Sequence, residues 1–304
     1  MLWYESFDKE IAEHLSGTNV ISEEPLARHC SFRIGGPARR MAFPTTSGEL
    51  VMLEKIGRSC GTEPLVLGNG TNMLFPDEGL DRLVISTRDL CRMERTGESE
   101  LRAEAGISLA RLALFAQQNE LSGLEFAHGI PGSVGGAVCM NAGAYGGEMK
   151  DVIVGAQVWF PEEGVRFLTV EELELGYRHS ILSDRPDAVV LYAVFHLEKG
   201  DGAAIRERME ELMGRRRASQ PLEYPSAGST FKRPAGYFAG ALIEQAGLKG
   251  YSVGGAQVST KHAGFVINTG SATCADVLAL IDHIRQTVLE KDGVLLEPEV
   301  RIIE

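Results

Sequence analysis

Val66-Leu-Gly-Asn-Gly-Thr-Asn-Met-Leu-Phe75 and, about sixty residues on, Gly129-Ile-Pro-Gly-Ser-Val-Gly-Gly-Ala-Val-Cys-Met-Asn-Ala-Gly-Ala-Tyr-Gly-Gly147 are the stretches that decide how this chain reads. Glycine takes positive φ and has no side chain, so each stretch lets bare backbone N–H groups come close to a ligand. Successive N–H groups in such turns form a concave nest for phosphate or pyrophosphate. Two nests in one chain point to a large phosphorylated ligand, and a dinucleotide cofactor fits that description. Neither stretch is a familiar nucleotide fingerprint. A Rossmann loop needs Gly-x-Gly-x-x-Gly, and the sixth position here is Met73. A P-loop needs a closing Gly-Lys-Ser/Thr, which is absent. The competing reading, glycine turns in an ordinary α/β protein, stands for one loop taken alone and weakens for the pair.

At 304 residues the chain is long enough for two or three domains. Its 44% hydrophobic and 24% charged content is that of a globular protein without a membrane span, the longest apolar run (Ala188–His196) being of strand length. The first ten residues carry acids where a secretion signal would be basic and then apolar, so a cytoplasmic location is expected. Cys30, Cys60, Cys91, Cys139 and Cys274 are odd in number and scattered, which suits neither a disulfide framework nor a metal site. A net charge of -12 opposes nucleic acid as a partner. An anionic small ligand therefore needs a local basic pocket, with candidates at Arg215, Arg216, Arg217, Lys232, Arg233, Lys249 and Lys261. The arginine triplet also reads as a solvated helix end.

The pattern along the chain is α+β. Short apolar runs at 41–43, 65–67 and 83–85 alternate with turns, and 48–58 is readable as a short helix. A strand is expected near 101–105. Ser108 then caps a helix with an apolar face of Leu109, Leu112, Ala113 and Ala116. Strand-like runs follow at 152–160, 165–170 and 188–197. Beyond Gly200 come helices from Ala203, around 239–246 and over 273–291, a strand at 264–267 and a final strand at 294–303. No internal repeat is present.

Three further segments carry polar side chains suited to chemistry: Gly176-Tyr-Arg-His-Ser180, Pro225-Ser-Ala-Gly-Ser-Thr-Phe-Lys-Arg-Pro234 and Leu296-Glu-Pro-Glu-Val-Arg301. Each alone is readable as surface or turn. In order with the glycine loops they resemble the UDP-N-acetylenolpyruvoylglucosamine reductase (MurB) family. The likeness spans about 19–304, and the tract 256–268 is similar to its shorter subtype.

The resemblance implies an FAD-binding fold of the vanillyl-alcohol-oxidase/PCMH type in two subdomains, 20–90 and 91–200, plus a smaller α+β substrate domain, 201–304. The strand 294–304 has the option of packing on the first subdomain. It implies FAD held by Gly68, Asn69, Gly70, Thr71 and Asn72 and by Gly129, Ile130, Pro131, Gly132, Ser133, Gly135, Gly136, Asn141, Ala144, Tyr145 and Gly146. The first loop holds no His or Cys, so the FAD is expected to be non-covalent. The implied reaction uses NADPH and the flavin to reduce the enolpyruvyl ether of a UDP-sugar, giving UDP-N-acetylmuramate for peptidoglycan.

Within that likeness Arg178 matches the carboxylate-polarising arginine, Ser229 the proton donor and Glu299 the partner acid. A planar, permanently charged fork suits a carboxylate better than lysine does. Glu297 is the competing glutamate, since strand alternation puts both on one face. Tyr177, Lys232, Arg233, Lys261 and His262 are candidate substrate contacts, the last also readable as a packed structural histidine. No metal is implied. Partners are expected to be NADPH and the UDP-sugar, with the chain a monomer or weak oligomer. An FAD oxidase of the same fold acting on a small alcohol or hydroxy acid, and a non-catalytic flavin-binding protein, are the competing classes.

Overall fold

The computed structural model describes residues 2–304, which mix helix and strand. Contacts divide the chain into two units. The first takes in the chain up to Ser22, Arg39–Asn69 and Arg82–Arg215; the second takes in Glu23–Ala38, Gly70–Asp81 and Arg216–Glu304. This differs from three consecutive ranges. Two early segments group with the C-terminal part, and the later cut falls after Arg215 instead of residue 200.

The first unit is organised by its strands. A four-stranded sheet runs in the order Asn19–Pro25, Pro37–Phe43, Leu80–Ser86, Leu65–Leu67, the last two being parallel. Ala42, Leu83 and Ile85 share a core with Leu50, Leu53 and Ile56 of the helix Ser47–Ser59 and with Trp159 and Leu191. Phe7 and Ile11 join that core from the helix Trp3–His14, one turn apart on a single face.

A five-stranded antiparallel sheet follows, in the order Gly164–Thr169, Ile153–Phe160, Val189–His196, Glu100–Glu104, Met93–Arg95. Alternation along Glu100–Glu104 turns Leu101 and Ala103 inward. Against them lies the helix Leu109–Gln118, whose N-terminus is capped by the Ser108 hydroxyl accepting from Arg111 N–H at 3.3 Å. Its buried residues include Leu109, Leu112, Ala113 and Ala116, the face read from the sequence. Ile205 and Met209, from the helix Gly202–Ser219, enter the same core.

In the second unit a three-stranded antiparallel sheet (Ser252–Val253, Ala256–Val258, Val266–Asn268) packs on the helix Cys274–Asp292. The N-terminus of that helix is doubly satisfied. Thr273 and Asp276 form a capping box, while the two carboxylate oxygens of Asp77 accept from Cys274 N–H (2.8 Å) and Ala275 N–H (3.2 Å). Gly293, at φ 68°, closes its C-terminus. The last strand is short, Arg301–Ile302, and pairs in parallel with Met73–Leu74.

One buried acid in the first unit lies outside any site expectation. Glu54 is enclosed on the helix Ser47–Ser59 and accepts from Arg58 Nε at 3.1 Å. Burial pushes its carboxyl up to about 7 against the opposing charges of Arg58 and Arg82, with Asp187 adding a smaller push in the same direction. The folded protein thus holds a proton between about pH 4.5 and 7 that the unfolded chain has released, so stability falls as pH rises through that window. Glu54→Gln is expected to remove that slope, gaining up to roughly 3 kcal/mol on the parent between pH 5 and 8 in urea titrations. A parent–variant difference that stays flat over that range contradicts the assignment.

Candidate functional site

Within the first unit, the loop after the helix Val134–Cys139 is a small hairpin. Gly143–Ala144 pairs with Gly147–Glu148, and the two-residue turn Tyr145-Gly146 has φ of 55° and 90°. Such a turn needs positive φ at both central positions, and Gly146 supplies the second without strain. Asn141 precedes it at φ 41°, only 1% exposed. Its amide donates to the Gly176 carbonyl (3.0 Å) and to Glu148 Oε2 (2.7 Å), and its Oδ1 accepts from Lys150 N–H (2.9 Å). Expected to contact a cofactor, this side chain spends its donors and acceptor inside the protein.

The Gly176 carbonyl belongs to the turn that carries Arg178. Gly176 N–H donates to His179 O (3.0 Å) and His179 N–H donates back to Gly176 O (3.3 Å), leaving Arg178 at φ 54°. Ser180, fully buried, donates from its hydroxyl to the Cys139 carbonyl at 2.8 Å. Tyr177 is 59% exposed and its ring lies 5.5 Å from the Arg178 guanidinium carbon. Sequence reading saw Ser180 only as the end of a motif; a hydroxyl two residues beyond a charged group is the signal that marks it as an anchor.

In the second unit, residues 229–232 and 297–299 lie side by side. Glu299 N–H donates to Thr230 O (2.8 Å) and Lys232 N–H to Glu297 O (2.9 Å), around a bridge between Phe231 and Pro298. Ser229 is exposed, whereas Thr230 is buried, its Oγ1 accepting from Val266 N–H at 3.0 Å. The anchor is thus one residue past the hydroxyl it presents. Glu297 and Glu299 flank the bridged Pro298 and differ in exposure and in partners. Glu297 is exposed and pairs with Lys232 Nζ at 3.4 Å, while Glu299 is half-buried and its carbonyl accepts from Asn72 Nδ2 at 3.0 Å.

The remaining substrate candidates are also built into this unit. Lys261 Nζ donates to the Arg217 carbonyl at 2.7 Å, and the Arg233 guanidinium carbon lies 4.5 Å from the Phe238 ring centroid. His262 Nδ1 accepts from Gly264 N–H at 3.1 Å, its ring sits edge-on to Phe265, and burial pushes its imidazole below the ordinary value. That is the packed histidine of the competing reading. A segment that carried no sequence signal is Ser31-Phe32: Ser31 Oγ donates to Ser226 O (2.6 Å), Ser31 N–H to Gly70 O (3.2 Å), and Phe32 O accepts from Asn268 Nδ2 (3.1 Å).

The glycine loops have the features of an anion cradle. Among the described residues, no backbone carbonyl accepts from the N–H groups of Gly68 through Asn72. A Cβ at Gly68 would lie 2.3 Å from Ser133 Oγ, so glycine is what lets the two loops close up. Gly70, at φ 59°, has the His29 carbonyl 2.4 Å from where a Cβ would stand. Asn69 Nδ2 ties the first loop to the second through Pro131 O at 2.8 Å. Beside the second loop, His128 Nδ1 is buried without a hydrogen-bond partner. Bare amides, close backbone approach and an unmet polar atom fit a pyrophosphate-bearing cofactor.

Comparison with known proteins agrees with that fit. A family model described as "FAD binding domain" matches residues 38–168, and one described as "UDP-N-acetylenolpyruvoylglucosamine reductase, C-terminal domain" matches residues 220–303. The UDP-N-acetylenolpyruvoylglucosamine reductase of Caldanaerobacter subterraneus subsp. tengcongensis is 48% identical over 294 residues, covering 97% of this chain and 97% of its own. That of Levilactobacillus brevis is 49% identical over 294 residues, covering 97% and 96%. The crystal structure of the reductase from Thermus caldophilus aligns at TM-score 0.79 and 35% identity, covering 94% of this chain and 99% of that one. An alkyldihydroxyacetonephosphate synthase, at TM-score 0.50 and 14% identity, covers 64% of this chain and 40% of its own and shares the fold. The chain has the vanillyl-alcohol-oxidase/PCMH-type FAD-binding fold.

Thr230→Val replaces the anchoring hydroxyl with a methyl of the same shape and leaves the Val266 N–H buried and unpaired. A loss of about 1–3 kcal/mol in unfolding free energy is expected in urea titration. A variant as stable as the parent would show that Thr230 does not hold this segment.

Proposed function

The chain belongs to the UDP-N-acetylenolpyruvoylglucosamine reductase family, and we propose on that premise that Arg178, Ser229 and Glu299 carry its reaction. The enzyme is an FAD-containing oxidoreductase, a UDP-N-acetylmuramate dehydrogenase, that reduces the enolpyruvyl ether of UDP-N-acetylglucosamine-enolpyruvate. Its product, UDP-N-acetylmuramate, serves peptidoglycan synthesis. NADPH as the co-substrate, a bacterial cytoplasmic setting, and action on a small UDP-sugar without nucleic acid or membrane belong to the same reading. Among the described residues no helix is long and apolar enough to cross a membrane. The oxidase alternative gains nothing from relatives of this identity and coverage.

The two glycine loops would hold FAD, which when bound would supply the hydride chemistry with NADPH as the reductant. Hydride arriving at the terminal vinyl carbon leaves an electron pair on the neighbouring carbon, delocalised into the carboxylate. The chain's task is to make that dianion bearable and then to protonate it. The Arg178 fork pairs with the carboxylate oxygens, and its fixed charge is best placed where negative charge grows. Glu299, half-buried and held at its backbone, sits on the segment beside Ser229 and steadies the same developing charge if it keeps its proton. The exposed Ser229 hydroxyl gives its proton to the carbon that carries the pair, completing the addition of two hydrogens across the double bond. Lys232, Arg233 and Lys261 are the cations available to a diphosphate, with Tyr177 and His262 in supporting positions.

The observation that carries this reading is the fixed juxtaposition of the Ser229 and Glu299 segments, through Glu299 N–H to Thr230 O at 2.8 Å. Ser229→Ala is expected to leave reduction of the flavin by NADPH at the parental rate while slowing reduction of the sugar nucleotide by about 10²–10⁴-fold. The two half-reactions are separated by anaerobic stopped-flow absorbance. An equal loss in both would remove the proton-donor role.

A further inference from the structure

We propose that Asn141 is a positioning residue for Arg178, its buried carboxamide holding the left-handed turn that presents the guanidinium. The inference rests on the reading of Arg178 given above and assigns Asn141 a task other than contact with a cofactor.

Non-glycine residues with positive φ are uncommon and strained, and they persist only where their surroundings over-determine them. Of the seven among the described residues, Asn141, Tyr145 and Arg178 all belong to motifs singled out in the sequence. The Arg178 turn is closed by two bonds of its own between Gly176 and His179. Those bonds fix its shape and not its place. Its place relative to the preceding loop rests on Asn141 Nδ2 to Gly176 O at one end and, past Arg178, on the Ser180 and Ser183 hydroxyls to Cys139 O. Asn141 is itself immobilised, since Glu148 takes the same amide and Lys150 N–H occupies Oδ1. An isosteric aspartate would lose both donations and set a carboxylate against a carboxylate and a carbonyl.

Asn141 also begins the tract Asn-Ala-Gly-Ala-Tyr-Gly, so the orientation of Arg178 is tied to the conformation of that glycine loop. A positioning error of about 1 Å at a reacting group costs on the order of 10²-fold in rate. The bond from Asn141 is therefore worth more to the sugar half-reaction than to folding.

Asn141→Gly is the cleanest test, because glycine adopts φ 41° freely and only the carboxamide is lost. The holoenzyme variant is expected to keep its full flavin content and a melting temperature within a few degrees of the parent. NADPH should still reduce the flavin at close to the parental rate, while kcat for the sugar nucleotide falls about 10–100-fold. Exchange of the His179 amide hydrogen should speed up. Added to Arg178→Ala, the change should slow sugar reduction no further, since residues acting through one group are not additive. Asn141→Ala, which removes the same donors without adding a charge, carries the same expectations and serves if the glycine variant fails to fold.

Parental sugar reduction in both Asn141 variants, or losses that multiply with those of Arg178→Ala, would overturn the proposal. So would loss of flavin with Arg178 chemistry intact in the molecules that retain it, which would return Asn141 to the cofactor. Parental sugar reduction in Arg178→Ala alone would instead overturn the reading of Arg178 and the clamp with it.

Discussion

Glu299 is held at both of its backbone polar groups, and the second unit is organised around that double attachment. Its N–H donates to Thr230 and its carbonyl accepts from the side chain of Asn72. Two residues on, Arg301 N–H returns to the Asn72 carbonyl at 2.9 Å, and Ile303 N–H reaches Leu74 O at 3.0 Å. Three stretches that are remote in sequence, 70–74, 229–232 and 297–303, are thereby set in one register. Each bond contributes only about 0.5–1.5 kcal/mol. Their effect is geometric: the hydroxyl of Ser229, the carboxyl of Glu299 and the end of the first glycine loop cannot shift independently.

The first unit uses a different device. There the chain accepts unfavourable backbone conformations and stabilises them by satisfying polar atoms around them. Asn141 and Ser180, both buried, donate to the Gly176 and Cys139 carbonyls, which also accept from His179 N–H and Ser183 Oγ. The first glycine loop differs: among the described residues, the amides of Gly68 and Asn69 in this unit donate to no backbone partner and are open to a ligand. A site so built gains stability when occupied, because anything that binds only the folded state shifts the balance toward it.

Local signals in the sequence translated well into structure. Ser108 caps its helix and the 3.6-residue pattern of Leu109, Leu112 and Ala116 faces the core, because capping and periodicity act within one or two turns. The strands read at 152–160, 165–170 and 188–197 appear at Ile153–Phe160, Gly164–Thr169 and Val189–His196. Longer-range features were not readable. That residues 23–38 and 70–81 group with the C-terminal part depends on backbone bonds and on Asp77 at a remote helix end, none of which imposes a residue pattern. The helix Trp3–His14 was obscured by its acids, though Phe7 and Ile11 are spaced for one face. Motif order pointed to candidate site residues, whereas the hydrogen bonds that bury a side chain such as Asn141 among its neighbours needed coordinates.

The central claim is that a flavin held on bare amides works with Arg178, Ser229 and Glu299 on an enolpyruvyl ether. It is tested most directly by the absorbance of the purified holoenzyme without oxygen. NADPH should bleach the yellow colour, and UDP-N-acetylglucosamine-enolpyruvate should restore it with one equivalent of UDP-N-acetylmuramate formed. A bleached enzyme that stays bleached with that sugar nucleotide, and regains its colour only when oxygen is admitted, would contradict the account.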